Sequence, residues 1–326
     1  MKFNVLVIGA GGIAQGYDEP VGPKINTHIK AYKYYPNFFN VSAICEPDDF
    51  LSKKVCDKWQ ISDRYREITD IKDFKYEVVS VCSPDNTHKE YIKTLVKYKP
   101  KVIIAEKPSG LSYEETDEIH NYCRSNGILL IINYIRLFFV DFQNIRNFII
   151  SENLKILNVD IKYHKGISHN GSHLLNLLMY LVPSNVVEVN QYSSLVDYET
   201  KDPSISFCAR MLDRFANVFY LNTTGFSSEM VNILEMDLIF DKYRFIYRES
   251  LGGKIEVYRK TEYFSGIKLK EFVLEKNINL DYSNAFLELF GFVVQFLQNG
   301  TYTSFYDDIE QSYLNTSKIF KKIEHE

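Results

Sequence analysis

KFNVLVIGAGGIA, residues 2–14, decides how this chain folds. Val5, Leu6, Val7 and Ile8 form an apolar run with the length and continuity of a strand buried on both faces. The run stops at Gly9-Ala10-Gly11-Gly12-Ile13-Ala14, which has the pattern G-x-G-x-x-A. In a dinucleotide-binding turn the first glycine makes the tight strand-to-helix bend and the second lets a pyrophosphate approach the backbone. A third small residue lets helix and strand pack closely. Gly9, Gly11, Gly12, Ile13 and Ala14 are therefore the expected phosphate cradle, with free amides at the start of the new helix facing the anion. Glycine-rich turns also follow strands for steric reasons alone, so the rest of the chain has to carry the reading.

Outward from this turn, residues 16–26 hold two prolines and two glycines and read as a loop that interrupts the first helix, which resumes over 27–35. Residues 39–45 read as the second strand, with Glu46 just past its end. A carboxylate there binds the adenosine ribose hydroxyls and repels a 2′-phosphate, so the expected cofactor is NAD rather than NADP. Its distance from Gly9 exceeds the usual spacing of about 20 residues, and the loop accounts for the excess. The alternative is an acidic residue that merely favours a helix N-terminus. A helix over 48–59 and a weak strand near 64–68 follow, then a buried strand over 77–82. That strand runs into Ser83-Pro84-Asp85-Asn86-Thr87-His88, where Thr87 and Glu90 have capping-box spacing. Another strand, 102–105, runs into Glu106-Lys107-Pro108. Ligands of open α/β sheets bind outside the carboxyl ends of the strands, and four such ends, at Gly9, Glu46, Ser83 and Lys107, converge on one crevice. A helix over 113–126, closed by Gly127, and a strand over 128–132 complete a doubly wound parallel sheet. The first domain is expected to be residues 1–133.

Residues 134–326 change texture. Alternating strands are expected at 156–163, 186–192, 204–211, 217–222, 232–240, 244–247 and 254–259. A helix over 168–181 places Leu174, Leu177, Leu178 and Leu181 on one face. Amphipathic helices at 283–298 and 307–323 close the chain. Grouped strands of this kind imply an α+β domain with a large, mostly antiparallel sheet, open on one side. At 326 residues, 45% hydrophobic and 25% charged, the chain can build two domains with proper cores. A formal net charge of −4 without a basic cluster argues against a nucleic-acid partner. No apolar run reaches the roughly 18 residues of a membrane span, and Met1-Lys2 leads straight into a strand rather than a signal peptide. Cysteines 45, 56, 82, 123 and 208 are odd in number and lack ligand spacing, which fits a reducing, cytoplasmic location without disulfides or structural zinc.

Taken together, Gly9 to Ala14, Glu46, Ser83-Pro84 with His88, Glu106-Lys107-Pro108, Arg136 and Gly171-Ser172-His173 resemble the Gfo/Idh/MocA oxidoreductase family along the whole chain. The resemblance implies a Rossmann domain followed by a substrate-binding and oligomerisation domain. It implies a cofactor site that includes Cys82, Ser83, Pro84, His88, Glu106 and Lys107 beside the glycine turn and Glu46. It implies catalysis by Lys107 and His173, with Arg136 and His169 joining them at the substrate. Family members oxidise or reduce sugars, sugar nucleotides and polyols, many as homo-oligomers, so a homodimer or homotetramer is expected.

The chemistry stands without the family. Hydride transfer from a secondary alcohol leaves a hydroxyl proton, which an imidazole with a pKa near 7 can take and return. A lysine ammonium can donate to the same oxygen and stabilise the developing charge. The alternatives are a surface lysine at a strand end and a packing histidine. Where the family carries aspartate four residues before its histidine this chain has His169, and three residues after it has Asn176. His169 and His173 at i and i+4 could face one way as a zinc pair does, but position 170 is asparagine rather than a zinc hydrolase's glutamate and no third ligand is evident. No metal is expected. The loss of the two aspartates keeps a second reading open, a non-catalytic dinucleotide- or sugar-sensing regulator on the same fold.

Overall fold

A computed structural model describes residues 2–108, 112–249, 252–264 and 268–324, which divide into two compact units. The first is Met1–Phe138 with Tyr282–Glu310; the second is Phe139–Asp281 with Gln311–Glu326. Relative to a single cut after residue 133, the first unit thus gains a C-terminal helix.

In the first unit, β1 (Phe3–Ile8), β2 (Phe39–Cys45), β3 (Asp63–Tyr65), β4 (Val78–Val81), β5 (Val102–Ala105) and β6 (Leu129–Ile132) form a parallel sheet in the order β3-β2-β1-β4-β5-β6. Val5, Leu6, Val7 and all of β4, β5 and β6 are buried, as strands covered on both faces must be. The order reverses between β1 and β4, so the glycine turn lies at the switch point. Helices α1 (His28–Tyr34), α2 (Asp49–Trp59), α3 (His88–Tyr98) and α4 (Tyr113–Ser125) follow their strands. Thr27, Asp48 and Ser112 cap α1, α2 and α4 by accepting backbone N–H bonds. The expected box at Thr87 is not formed. Pro84 starts a tight 3-10 turn, Asp85–Thr87, and the Thr87 hydroxyl turns back to the Pro84 carbonyl at 2.6 Å, so α3 simply continues from it.

The second unit holds α5 (Val140–Ser151), β7 (Ile156–His164), α6 (Ser172–Leu181), β8 (Ser184–Glu199), β9 (Asp202–Asp213), β10 (Val218–Phe226), β11 (Glu235–Phe240), β12 (Tyr243–Arg248), β13 (Lys254–Phe264) and β14 (Lys268–Asn279). The eight strands pair in the order β14-β13-β12-β11-β7-β10-β9-β8, antiparallel except for β7 with β10. In β10, β11 and the second half of β9 buried residues alternate with accessible ones, the mark of a sheet covered on one face. On the covered face, Phe142 and Phe148 of α5 meet Tyr247, Tyr243 and Phe245 edge-on. The β8–β9 ladder changes register three times, at Val186/Glu188, Gln191/Ser193 and Leu195/Glu199.

Helix α7 (Tyr282–Asn299) belongs to the first unit because Phe286 and Phe290 pack edge-on against the His28 ring, and Phe290 also against Tyr32. The last helix, α8 (Ser304–Glu324), has Tyr306 donating to the Leu130 carbonyl at 3.0 Å in the first unit. Later in α8, Ser312 and Thr316 meet Asn176 at 3.1 and 3.4 Å in the second.

Candidate active site

At the first strand end, Gly9 adopts φ +89°, and a Cβ there would stand 2.6 Å from the Cys82 carbonyl oxygen. Only glycine permits this turn to lie so close to β4. Gly11 is the opposite case: nothing lies within 4 Å of where its Cβ would be, so the backbone is open to a bulky anion. Ala14 is fully buried, as the third small residue of the motif should be. The helix after the turn differs from the expected one. It is a single π turn, Gly12–Gly16, in which Gly16 and Tyr17 donate to the carbonyls of Gly11 and Gly12 at 3.2 and 3.1 Å. Gln15 locks this turn, its amide donating to the Ala10 carbonyl at 3.1 Å and accepting from the Trp59 indole at 3.2 Å.

Glu46 spans the space between the glycine turn and α2. One carboxylate oxygen accepts from the Ala10 amide and the other from the Asp48 amide, each at 3.0 Å. A carboxylate has about four acceptor positions, so two remain after these bonds are made. Glu46 is half-buried, fixed beside the turn, and still able to accept.

The ends of β4 and β5 are braced by buried side chains. His88 is fully buried, with one ring nitrogen 2.8 Å from the Ser83 carbonyl and the other 2.8 Å from the Pro108 carbonyl. It therefore ties the two strand-end loops together from below and belongs to their frame. Cys82 is also buried, which pushes its thiol well above the usual range. Ser83 and Pro84 are accessible to different degrees, and Ser83 shares a 2.7 Å hydrogen bond with the Thr87 hydroxyl.

Glu106 faces inward. Its carboxylate accepts from Asn133 at 2.7 Å and lies 3.0 Å from His28 Nε2. The His28 Nδ1 lies 2.9 Å from the Ser80 hydroxyl, which lies 2.8 Å from that of Tyr32. Donation in the order Tyr32, Ser80, His28, Glu106 satisfies the whole chain. Burial alone would raise the Glu106 carboxyl, but the His28 and Asn133 bonds and the adjoining Lys107 charge hold it below its ordinary range. Lys107 itself is half-exposed, and the Lys107-Pro108 bond is cis. Arg136 is buried in a 3-10 turn, Ile135–Phe138. No sequence signal identified His28 or Asn133, because the loop at 16–26 separates one from the motif and the other stands at a domain border.

In the second unit, His173 sits in the first turn of α6, half-buried. The single helix expected over 168–181 is in fact a π turn, Gly166–Gly171, followed by α6. Lys165 and Gly166 enter it with φ of 60° and 79°, and Asp202 caps it by accepting from the Ser168 and His169 amides at 2.8 and 2.7 Å. His169 thus lies in the wider turn, its ring 5.4 Å from that of Tyr198. Among the described residues no three His, Cys, Asp or Glu side chains gather as metal ligands. Asn176 is fully buried and directed to Ser312 and Thr316 of α8, where it serves packing.

Residues 3–134 match the model of an oxidoreductase family with an NAD-binding Rossmann fold, Gfo/Idh/MocA. Uncharacterized oxidoreductase YrbE of Bacillus subtilis (strain 168) is 27% identical over 146 residues, 44% of this chain and 38% of that protein, so the match spans well under half of the relative. Levoglucosan dehydrogenase in complex with NADH and levoglucosan superposes with a TM-score of 0.74 at 13% identity, covering 100% of this chain and 98% of its own. A single-residue variant of a 3-ketoreductase from Actinomadura kijaniata, in complex with TDP-benzene and NADP, gives 0.73 at 12% identity over 99% and 98%. An oxidoreductase from Agrobacterium radiobacter with NAD+, L-tartaric acid and magnesium gives 0.72 at 13% over 99% and 96%. At such identities the likeness is one of fold. Among the described residues no helix is long and apolar enough to cross a membrane.

Proposed function

We propose that this chain, whose residues 3–134 match the Gfo/Idh/MocA oxidoreductase family model, is an NAD-dependent oxidoreductase acting on a secondary hydroxyl or ketone of a sugar, sugar nucleotide or polyol. The observation that carries the reading is the glycine turn at the sheet's switch point, open at Gly11 and flanked by a fixed carboxylate at Glu46. A fold relative that holds NADH with levoglucosan supports a carbohydrate-like substrate. The nicotinamide, when bound, supplies the hydride acceptor or donor. His173 takes the hydroxyl proton in oxidation and returns it in reduction, while the Lys107 ammonium donates to the same oxygen and meets the charge that develops there. Arg136 and His169 complete the assignment on the substrate side.

Glu46 selects NAD(H), because a carboxylate with free acceptor positions binds ribose hydroxyls and opposes a 2′-phosphate. Titrating both cofactors against the parent and Glu46→Ala tests this. The parent is expected to favour NAD(H) and the variant to lose that preference; a parent that binds NADP(H) as well or better rejects the assignment. Turnover with candidate sugars and polyols tests the reaction class. A parent that binds the dinucleotide yet turns over none of them would favour the regulator, to which His169 and the buried Asn176, in place of aspartates, already lean. The open face of the second unit's sheet, where Val218 and Tyr220 are 49% and 51% exposed, supports a homodimer or homotetramer. Light scattering at working concentration should return two or four subunit masses, and a single mass would rule the assembly out.

A further inference from the structure

Between the π turn and α1 the chain makes an excursion that the dinucleotide motif does not require, and this excursion is rigidly tied. Asp18, 6% exposed, accepts from the Asn26 amide at 2.7 Å, from the Asn26 side chain at 3.0 Å and from the Thr27 hydroxyl at 2.8 Å. Thr27 in turn caps α1, so the loop is closed at its base. Lys58 donates to the Asp18 carbonyl at 2.6 Å, and Lys30 donates to the carbonyls of Glu19 and Pro20 at 2.8 and 2.6 Å. At the head of this frame stands Tyr17, 69% exposed, its amide bonded to the Gly12 carbonyl at 3.1 Å. Its phenol lies directly against Gly12: a Cβ there would stand 2.5 Å from the ring carbon that bears the hydroxyl and 2.6 Å from the hydroxyl oxygen. The glycine at position 12 therefore makes room for a side chain from position 17.

We infer that Tyr17 is a cofactor-binding residue whose hydroxyl donates to the diphosphate of the dinucleotide. This rests on the reading that the dinucleotide binds at the glycine turn. The stretch Gly9 to Gly16 contains no basic residue, so the anion there is met by neutral donors. A phenol O–H donating to a phosphate oxygen is a charge-assisted hydrogen bond, among the stronger neutral contributions available. Because Asp18, Lys30 and Lys58 already hold the loop, little ordering cost falls on binding. An exposed tyrosine seated on backbone beside an anion-binding turn otherwise has no packing role to explain it.

The test is competition binding by NADH, ADP-ribose and adenosine to the parent, Tyr17→Phe and Gly12→Ala, with thermal melting as a control. Tyr17→Phe should weaken NADH and ADP-ribose by roughly 10- to 150-fold, as loss of a hydrogen bond to a charged group does, and leave adenosine unchanged. Gly12→Ala should displace the ring and cause a similar loss that is not additive with Tyr17→Phe. Equal or tighter ADP-ribose binding by Tyr17→Phe, or an equal loss for adenosine, overturns the inference while leaving the dinucleotide reading intact. A correctly melting parent that binds neither NADH nor NADPH overturns both.

Discussion

Lys107 follows a residue whose charge is directed into the core. Glu106 is engaged by His28 and Asn133, and His28 is engaged by Ser80, so the backbone entering Lys107 is held by a hydrogen-bonded chain. Breaking a satisfied buried network leaves a charged group with too few donors, which is why such networks hold their members in one place. The proposed roles of Lys107 and His173 are to stabilise charge and to move a proton on the reacting oxygen. Lys107→Ala and His173→Ala should each lower kcat by about 10²- to 10⁴-fold, with NAD affinity held within a few-fold. Steady-state kinetics beside direct binding separates the two effects, and near-parental kcat in either variant removes that residue from the reaction. At this scale the sequence was most readable where backbone geometry and local motif coincide, as at Gly9 and Ala14. It was least readable where a side chain works through a distant partner: nothing around His28 in sequence announces Glu106.

Elements were legible in proportion to how locally they are determined. Strand β2 falls at 39–45 as expected, because its apolar residues and the flanking Glu46 define it without outside help. Helix α6 begins later than its leucine pattern implied, since Leu174, Leu177 and Leu178 fix only the part beyond residue 172. The winding before it depends on Asp202, which reaches this segment only once β9 has paired with β10. Asp202→Ala should therefore cost about 1–3 kcal/mol by leaving two amides without their acceptor, read as a lower denaturant midpoint. An unchanged midpoint would mean that Lys165 and Gly166 set the π turn unaided. Helix α5 was overlooked although Phe142, Ile145 and Ile149 are buried at helical spacing, and β14 because its lysines and glutamates conceal a strand that lies at the sheet edge. The grouping of α7 with the first unit could not be read, since it depends on aromatic contacts with His28 and Tyr32 across more than half the chain.

For the molecule as a whole, the second unit's sheet carries a charged network with its own pH signature. Burial opposes ionisation of Glu256, but hydrogen bonds from Arg248, Lys254 and Tyr258 outweigh it and hold the carboxyl at about 2 instead of 4.5. A depressed carboxyl stabilises the fold above its unfolded pKa, and that contribution is lost as pH falls from 4.5 toward 2. Glu256→Gln should lower stability on the order of 1 kcal/mol near neutrality, discounted because Arg248 and Lys254 remain about a third exposed. The gap to the parent should close across that acidic window in denaturant titrations; a gap that persists unchanged would assign the effect to packing. The three register changes along β8 have a consequence at this scale too. An outermost strand presents unpaired amides and carbonyls on which a foreign chain can template itself, and such templating requires an unbroken, evenly spaced row. The slips at Val186/Glu188, Gln191/Ser193 and Leu195/Glu199 divide β8 into short segments, while exposed Lys270, Glu271, Glu275 and Lys276 line the opposite border with charge. Both borders of the eight-stranded sheet thus carry features that oppose edge-to-edge pairing, an irregular ladder on one and charge on the other.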